Sequence, residues 1–246
     1  MKTHLCLRFI TSVVCLVLSV SSAAELSNTP RQDTWVTDGP VWAVEATPTT
    51  VYIGGWFSYV GPHTGGGVPL SMATGAPITP FPKVNGYVYA AVPDGFGGWY
   101  IGGEFDSVGN AVRSNIAHIL PSGAVDPAWN PNANNAVLAL AVSGTTVYAG
   151  GEFTNVGGQA RNGIAALDAI TGAVAPWNPS TDGSVYALAA SGGTIYVGGW
   201  FTSIGGQPRN AIAALDTTTG AATAWDPNAQ YYDGYSLYRG SVYALA

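Results

Sequence analysis

From Val41 onward the chain alternates short apolar runs with clusters of Gly, Asn, Asp, Ser, Thr and Pro, and no stretch spaces its apolar residues at the helical period of 3.6. The pattern is clearest after Val185. The run VYALAA reads as a first strand, Ser191-Gly192-Gly193 as a hairpin turn, and TIYVGGWF as a second strand whose glycines mark close backbone approach or a bulge. The connection SIGGQPRN leads to a third strand, AIAALD. Thr219-Gly220 then turns the chain into a fourth, AATAWDP, ended by a proline that cannot donate to a ladder.

The same order recurs at intervals of 48 residues. Gly54-Gly55, Gly102-Gly103, Gly150-Gly151 and Gly198-Gly199 are in phase, each followed by Phe57, Phe105, Phe153 or Phe201. Val60, Val108, Val156 and Ile204 keep that phase, as do Gly61, Gly109, Gly157 and Gly205. Arg113, Arg161 and Arg209, then Ile116, Ile164 and Ile212, then Trp129, Trp177 and Trp225 hold the spacing in the last three units. A sheet of four such short strands, apolar on both faces (Tyr196 and Val197, Ile212 and Leu215), would leave one face wet if it stood alone. It must stack on copies of itself, and radial stacking buries both faces. A β-solenoid would want a shorter repeat of about 20 to 30 residues.

The expected fold class is therefore all-β: a β-propeller of four-stranded antiparallel blades of about 48 residues. Within a propeller domain over residues 25–246, the units run at about 41–87, 88–136, 137–184 and 185–241. A next unit starts at 242–246, where VYALA reads as a first strand. Trp35, before the turn-like Thr37-Asp38-Gly39-Pro40, reads as the fourth strand of an incomplete earlier blade, which in propellers often pairs with C-terminal strands to close the ring. Four complete blades plus partial first and last ones imply a truncated chain whose intact form has five or more blades.

Residues 1–24 read as a secretory signal peptide. Lys2 and Arg8 form a basic start, Ile10 to Val20 an apolar run, and Ser22-Ala23-Ala24 the small residues before a cut after Ala24. The run is shorter than the ~20 residues of a spanning helix and no second one follows, so no transmembrane segment is expected and the processed protein should be soluble. A secreted, extracellular or cell-surface setting follows, with the periplasm as a variant. Cys6 and Cys15, the only cysteines, leave with the leader, so no disulfide, thiolate metal ligand or cysteine nucleophile is expected. Composition narrows the partners. The chain carries a net charge of −6 with 9% charged residues, which fits neither disorder nor a phosphate-binding basic stripe, so no nucleic acid is expected.

The stretch TVYAGGEFTNVGGQARNGIAALDAITGAVAPWNP resembles the delta-60 repeat propellers of secreted bacterial proteins, a kelch-like group, and the likeness runs from about Trp35 to Ala246. The resemblance implies a propeller fold and an exported, often cell-surface setting, and it brings no catalytic assignment. The first unit departs from it: HTGGGVPLSMATGAPITPFP lacks the Arg and Asp and has Phe81 in the Trp slot. The series Ala166, Asp168, Thr171, Gly172, Trp177 also resembles the blade-docking motif of quinoprotein-type propellers, with the Trp one residue late after Pro176. Such enzymes would imply eight blades and a cofactor-stacking cysteine pair that the processed chain lacks.

Candidate chemistry is sparse. Asp168 and Asp216 precede Thr-Gly turns, where a carboxylate caps local backbone donors, and Leu120 stands in the same slot of the second unit. Arg113, Arg161 and Arg209 recur once per unit, as a structural hydrogen bond or ion pair between neighbours would. Glu104 and Glu152 share one slot with Trp56 and Trp200, an interchange unlike a catalytic pair. With only His63 and His118 after the leader, neither a catalytic residue nor a metal or other cofactor is expected.

One segment breaks the period. The connection from Trp225 to Val242 is nine residues longer than its counterpart and carries Tyr231, Tyr232, Asp233, Tyr235, Tyr238 and Arg239. In an antiparallel blade it emerges on the face that also holds Trp200 and the SIGGQPRN loop, making that face the candidate ligand-binding site. Two function classes stand. One is a non-catalytic binding or interaction scaffold for protein or carbohydrate at the cell surface. The other is a secreted enzyme, quinoprotein-like or hydrolytic, with its active site at the channel mouth.

Overall fold

The computed structural model describes residues 37–57, 60, 66–232 and 237–245, with the backbone alone described over 231–232 and 237–239. The expected signal peptide, Trp35, Gly61 and His63 lie outside the described residues. Four three-stranded antiparallel ladders follow one another along the chain. The first joins β1 (Val41–Ala46), β2 (Thr50–Gly55) and β3 (Gly67–Ser71). In the second, β5 (Trp99–Val108) lies between β4 (Val84–Pro93) and β7 (Ile116–Ile119), with the two-residue β6 (Ala111–Val112) folded back on its end. The third joins β8 (Val137–Ser143), β9 (Thr146–Gly151) and β12 (Ile164–Asp168), with β10 (Asn155–Val156) and β11 (Gln159–Ala160) as a ribbon between them. The fourth joins β13 (Ser184–Ser191), β14 (Thr194–Trp200) and β17 (Ile212–Asp216), with the ribbon β15 (Ser203–Ile204) and β16 (Gln207–Pro208). No helix occurs among the described residues, and hence none long and apolar enough to cross a membrane.

The expected fourth strand of each unit is reduced to a single bridge: Leu70↔Pro77, Ile119↔Val125, Leu167↔Val174 and Leu215↔Ala222. The first unit, which has no recurrent arginine, is reduced in the same way as the last three, where arginines bond to the segment beyond the bridge. The carbonyl oxygens of Asp126, Ala175 and Thr223 take Nη2 of Arg113, Arg161 and Arg209 at 2.8, 2.8 and 2.6 Å. The arginines thus tie the connection after the second strand to the last segment of their own unit. The bonds run within units, where the sequence suggested links between neighbours.

Successive sheets pack face to face, with the first strands β1, β4, β8 and β13 in contact in turn. Three apolar clusters fill the junctions, one per neighbouring pair of sheets. The paired glycines divide the work of bringing sheets together. A Cβ on the first glycine would strike a valine of the segment packed against it: Gly54 meets Val88, Gly102 Val137, Gly150 Val185 and Gly198 Val242, each at 2.4–2.7 Å from Cγ1. A Cβ on the second would strike the unit's own first strand, as Gly151 does the Ala136 carbonyl at 2.1 Å. There the register slips by one residue, between Val41 and Ala43, Val88 and Ala90, Val137 and Ala139, and Val185 and Ala187. One glycine therefore serves close approach and the other the bulge.

The tryptophans close the junctions. Trp129, fully buried, lies 5.1 Å from the Tyr100 ring and donates from Nε1 to the Asp168 carbonyl of the next sheet at 3.0 Å. Trp177, 7% exposed, repeats this on Tyr148 and the Asp216 carbonyl. Trp225 keeps the ring contact, 5.3 Å from Tyr196, but is 43% exposed. Phe81 takes the slot against Tyr52 at 5.7 Å, without an N–H to donate.

Residues 241–245, over which a first strand is expected, take part in no ladder among the described residues. Val242 N–H donates to the Gly199 carbonyl of β14 at 3.1 Å, and Tyr243 stacks on Tyr186 of β13. Among the described residues no ladder joins the first sheet to the last.

Candidate functional site

Antiparallel register puts several variable positions at one end of every sheet. The bulge of each first strand faces its partner's diglycine near one end of the sheet, so the bulge residues, the side chains after the diglycines and the two long connections of each unit share that end. The bulge residues are Trp42, Tyr89, Leu138 and Tyr186, with Tyr243 at the equivalent point beyond β13. The side chains after the diglycines are Trp56, Glu104, Glu152 and Trp200.

The densest part of this end lies between the first and second sheets. Trp42 sits 5.3 Å from Tyr89, 6.0 Å from Tyr87 and 6.2 Å from Trp56, and Trp56 lies 5.6 Å from Tyr87. Yet Trp42 is 45% and Trp56 57% exposed, so the cluster shows its ring faces to solvent while its members support one another. The Tyr89 hydroxyl donates to Glu104 Oε2 at 3.1 Å. Burial, that bond and the negative charge of Glu104 push the Tyr89 pKa up to about 12. Beside the rings opens a cleft of about 390 Å³ lined by Asp38, Trp56, Lys83, Asn85, Gly86 and Tyr87.

The other positions singled out in the sequence fall as follows. The nine-residue excess after Trp225 forms a hairpin, β18 (Gln230–Tyr232) paired with β19 (Leu237–Arg239). Its base is tied to the SIGGQPRN loop by Ala229 N–H to the Asn210 carbonyl at 3.1 Å. Tyr231, Tyr232, Tyr238 and Arg239 lie in its strands by backbone, and Asp233 and Tyr235 are outside the described residues. Trp200, 46% exposed, pairs with Ser184 at the end of the same sheet. Asp168 Oδ1 accepts from the N–H groups of Thr171 and Ile170 and from the Thr171 hydroxyl, and Asp216 does the same with Thr219 and Thr218. Both carboxyls are held below the usual range, chiefly by the backbone bonds from Thr171 and Thr219.

Two features escaped the sequence reading. The bulge aromatics are visible as Val41-Trp42, Val88-Tyr89, Val185-Tyr186 and Val242-Tyr243, yet an alternating pattern assigns them to a packed face, because the bulge that turns them outward is a property of the paired strand. The second is His118, buried between two carboxylates. Its Nδ1 lies 2.9 Å from Asp126 Oδ2 and its Nε2 3.2 Å from Asp94 Oδ2, with the ring stacked on Tyr100 at 4.4 Å. The two carboxylates face opposite ring nitrogens, and no group of three or more His, Cys, Asp or Glu poised to hold a metal occurs among the described residues.

Together these features define a propeller-type, all-β protein with an aromatic and acidic rim at one end. A family model described as "Domain of unknown function (DUF5122) beta-propeller" matches residues 97–128 and 191–218, the second and third strands of the second and fourth units. Among solved structures the chain is similar to the WD40 domain of Neurospora crassa Pan2, at 14% identity over 76% of this chain and 50% of that one, with a TM-score of 0.51. That likeness shows the fold alone. The computationally designed Ika4 protein (16% identity, 76% of this chain, 99% of that one, TM-score 0.49) and BamB from Moraxella catarrhalis (20%, 76%, 48%, 0.43) are also similar. No curated protein sequence matches the chain.

Proposed function

We propose that this protein is an exported, non-catalytic β-propeller of the delta-60 repeat, kelch-like type that binds protein or glycan at the cell surface. The observation that carries this reading is the asymmetry of the sheets. One end gathers Trp42, Trp56, Tyr89 and Tyr186 with the β18–β19 hairpin, whereas Asp168 and Asp216, the recurrent acids of the other end, are taken up by their turns. Exposed Trp and Tyr ringed by acids suit recognition, since each offers a broad apolar face and a hydrogen-bonding edge. In this reading the units at 41–87, 88–136, 137–184 and 185–241 are successive blades, 242–246 opens a further one, and residues 1–24 direct export before removal.

Two measurements test it. Mass spectrometry of the exported protein should find an N-terminus at Glu25, and retention of residues 1–24 in a cytosolic product would overturn the exported setting. In a screen of glycans and surface proteins, Tyr232→Ala with Tyr235→Ala should weaken capture by the long-loop face. Undiminished capture removes the hairpin from the site.

A further inference from the structure

The junction of the first and second sheets differs from the others in a way that points to a ligand class. At the two following junctions the position after the diglycine is Glu104 or Glu152, an exposed acid, and here it is Trp56, joined by Trp42 from the bulge. Two indoles at 45% and 57% exposure, 6.2 Å apart and tilted by 42°, form a stepped apolar platform supported from beneath by Tyr87 and Tyr89. Their centroids are too close for a cation to enter between the rings, so the platform offers outward faces rather than an aromatic cage.

We propose that this platform binds an uncharged glycan, with sugar rings stacked on Trp56 and Trp42 and hydroxyls reaching into the adjoining cleft. The inference deepens the binding reading above and rests on it. A pyranose shows an apolar C–H face and a rim of hydroxyls that both donate and accept. The site supplies both complements, because the ring faces stand beside a cleft of about 390 Å³ whose walls carry the Asp38 carboxylate, the Asn85 amide and the Lys83 ammonium. That volume lies in the range of small-ligand sites, whereas a stable protein partner covers ~800 Å² of surface per side. Charge decides against acidic sugars: Glu104, bonded to Tyr89, borders the platform, and the chain is net negative. The tilt between the indoles suits consecutive, mutually rotated rings of one chain better than a single flat ligand.

The test is a titration of the purified protein with neutral hexasaccharides of glucose, xylose, mannose and N-acetylglucosamine, followed by tryptophan fluorescence and calorimetry, with hexagalacturonate as the acidic control. At least one neutral hexasaccharide should bind and the control should not. Trp56→Ala and Trp42→Ala should each weaken binding roughly tenfold or more, while Phe96→Ala, which removes an exposed ring from the turn at the other end of β4 and β5, leaves it unchanged. Circular dichroism and the urea midpoint of each variant separate lost binding from lost fold, and Trp56→Tyr, which keeps a ring, should recover part of the affinity. If Trp56→Ala binds as wild type while Trp200→Ala does not, the platform is wrong and the binding propeller stands. If no hexasaccharide binds while a peptide library does, the glycan is wrong and a protein ligand remains. If nothing binds in either format, both readings fall.

Discussion

The junction between the third and fourth sheets and that between the first and second share one period but are differently equipped. At the former, Trp177 is buried and bonded to the Asp216 carbonyl, Gly150 admits Val185, and the position after the diglycine is Glu152. At the latter, Phe81 takes the tryptophan's place without a hydrogen bond, and the buried Tyr52 hydroxyl has no partner among the described residues, whereas Tyr100 donates to the Ala169 carbonyl across the next junction. The solvent end of the first junction carries Trp42 and Trp56 instead. Positions between sheets are confined by volume and by the cost of leaving a buried polar group unpaired, a cost the first junction carries at Tyr52, whereas positions at the diglycine end face water and vary with little penalty to the stack. Chemistry can therefore change from one junction to the next on a constant frame.

The comparison breaks most visibly at the tryptophans. Trp177→Ala should cost ~3–5 kcal/mol, the range for emptying a large buried aromatic site, and Trp225→Ala, at 43% exposure, well under half of that. Urea unfolding measures both, and equal costs would mean that the indole does not act as a clasp between sheets. Next in size are the glycines. Gly150→Ala and Gly151→Ala should each cost ~1–3 kcal/mol by overpacking, but Val185→Ala should relieve only Gly150→Ala, because the obstacle at Gly151 is the Ala136 backbone carbonyl. A double-mutant cycle that couples Val185 equally to both glycines would refute that division.

The smallest effect concerns acid. Burial pushes the Asp126 carboxyl up, but hydrogen bonds from His118 and from the N–H groups of Ala128 and Trp129 outweigh it and hold the carboxyl below its ordinary value. A carboxyl lowered on folding contributes stability that is complete above its unfolded pKa and drains away as pH falls through the folded one. Asp126→Asn should flatten the acid limb of the stability curve below the ordinary carboxylate range and leave neutral pH less affected. The equivalent positions of the third and fourth units, Ala175 and Thr223, have no such carboxyl, so Thr223→Ala should leave the limb unchanged.

Much of the scaffold was legible because period and turn chemistry are local. The glycine pairs, the hairpin turns and the Asp-Thr-Gly caps each act over a few residues, and all lie where the spacing puts them. The fourth strand was over-read, because alternation in AATAWDP marks a face and does not fix how many rungs the segment makes with its neighbour. The hairpin after Trp225 could be counted as an insertion, but its pairing could not be read from composition. His118 was set aside because only it and His63 remain after the leader, and its partners Asp94 and Asp126 reach it only because a turn and a strand edge meet beside β7.

What the sequence by itself determined is the repeating sheet and the demand that it stack, since a short ladder apolar on both faces has no other way to leave water. Only the tertiary structure decided which glycine admits a neighbour and which a bulge, toward which carbonyl each arginine and indole points, and which aromatics end up outside. Those outcomes depend on register between strands and distance between sheets; the latter is set by contacts such as Trp177 with the Asp216 carbonyl, 39 positions apart, where no local preference reaches.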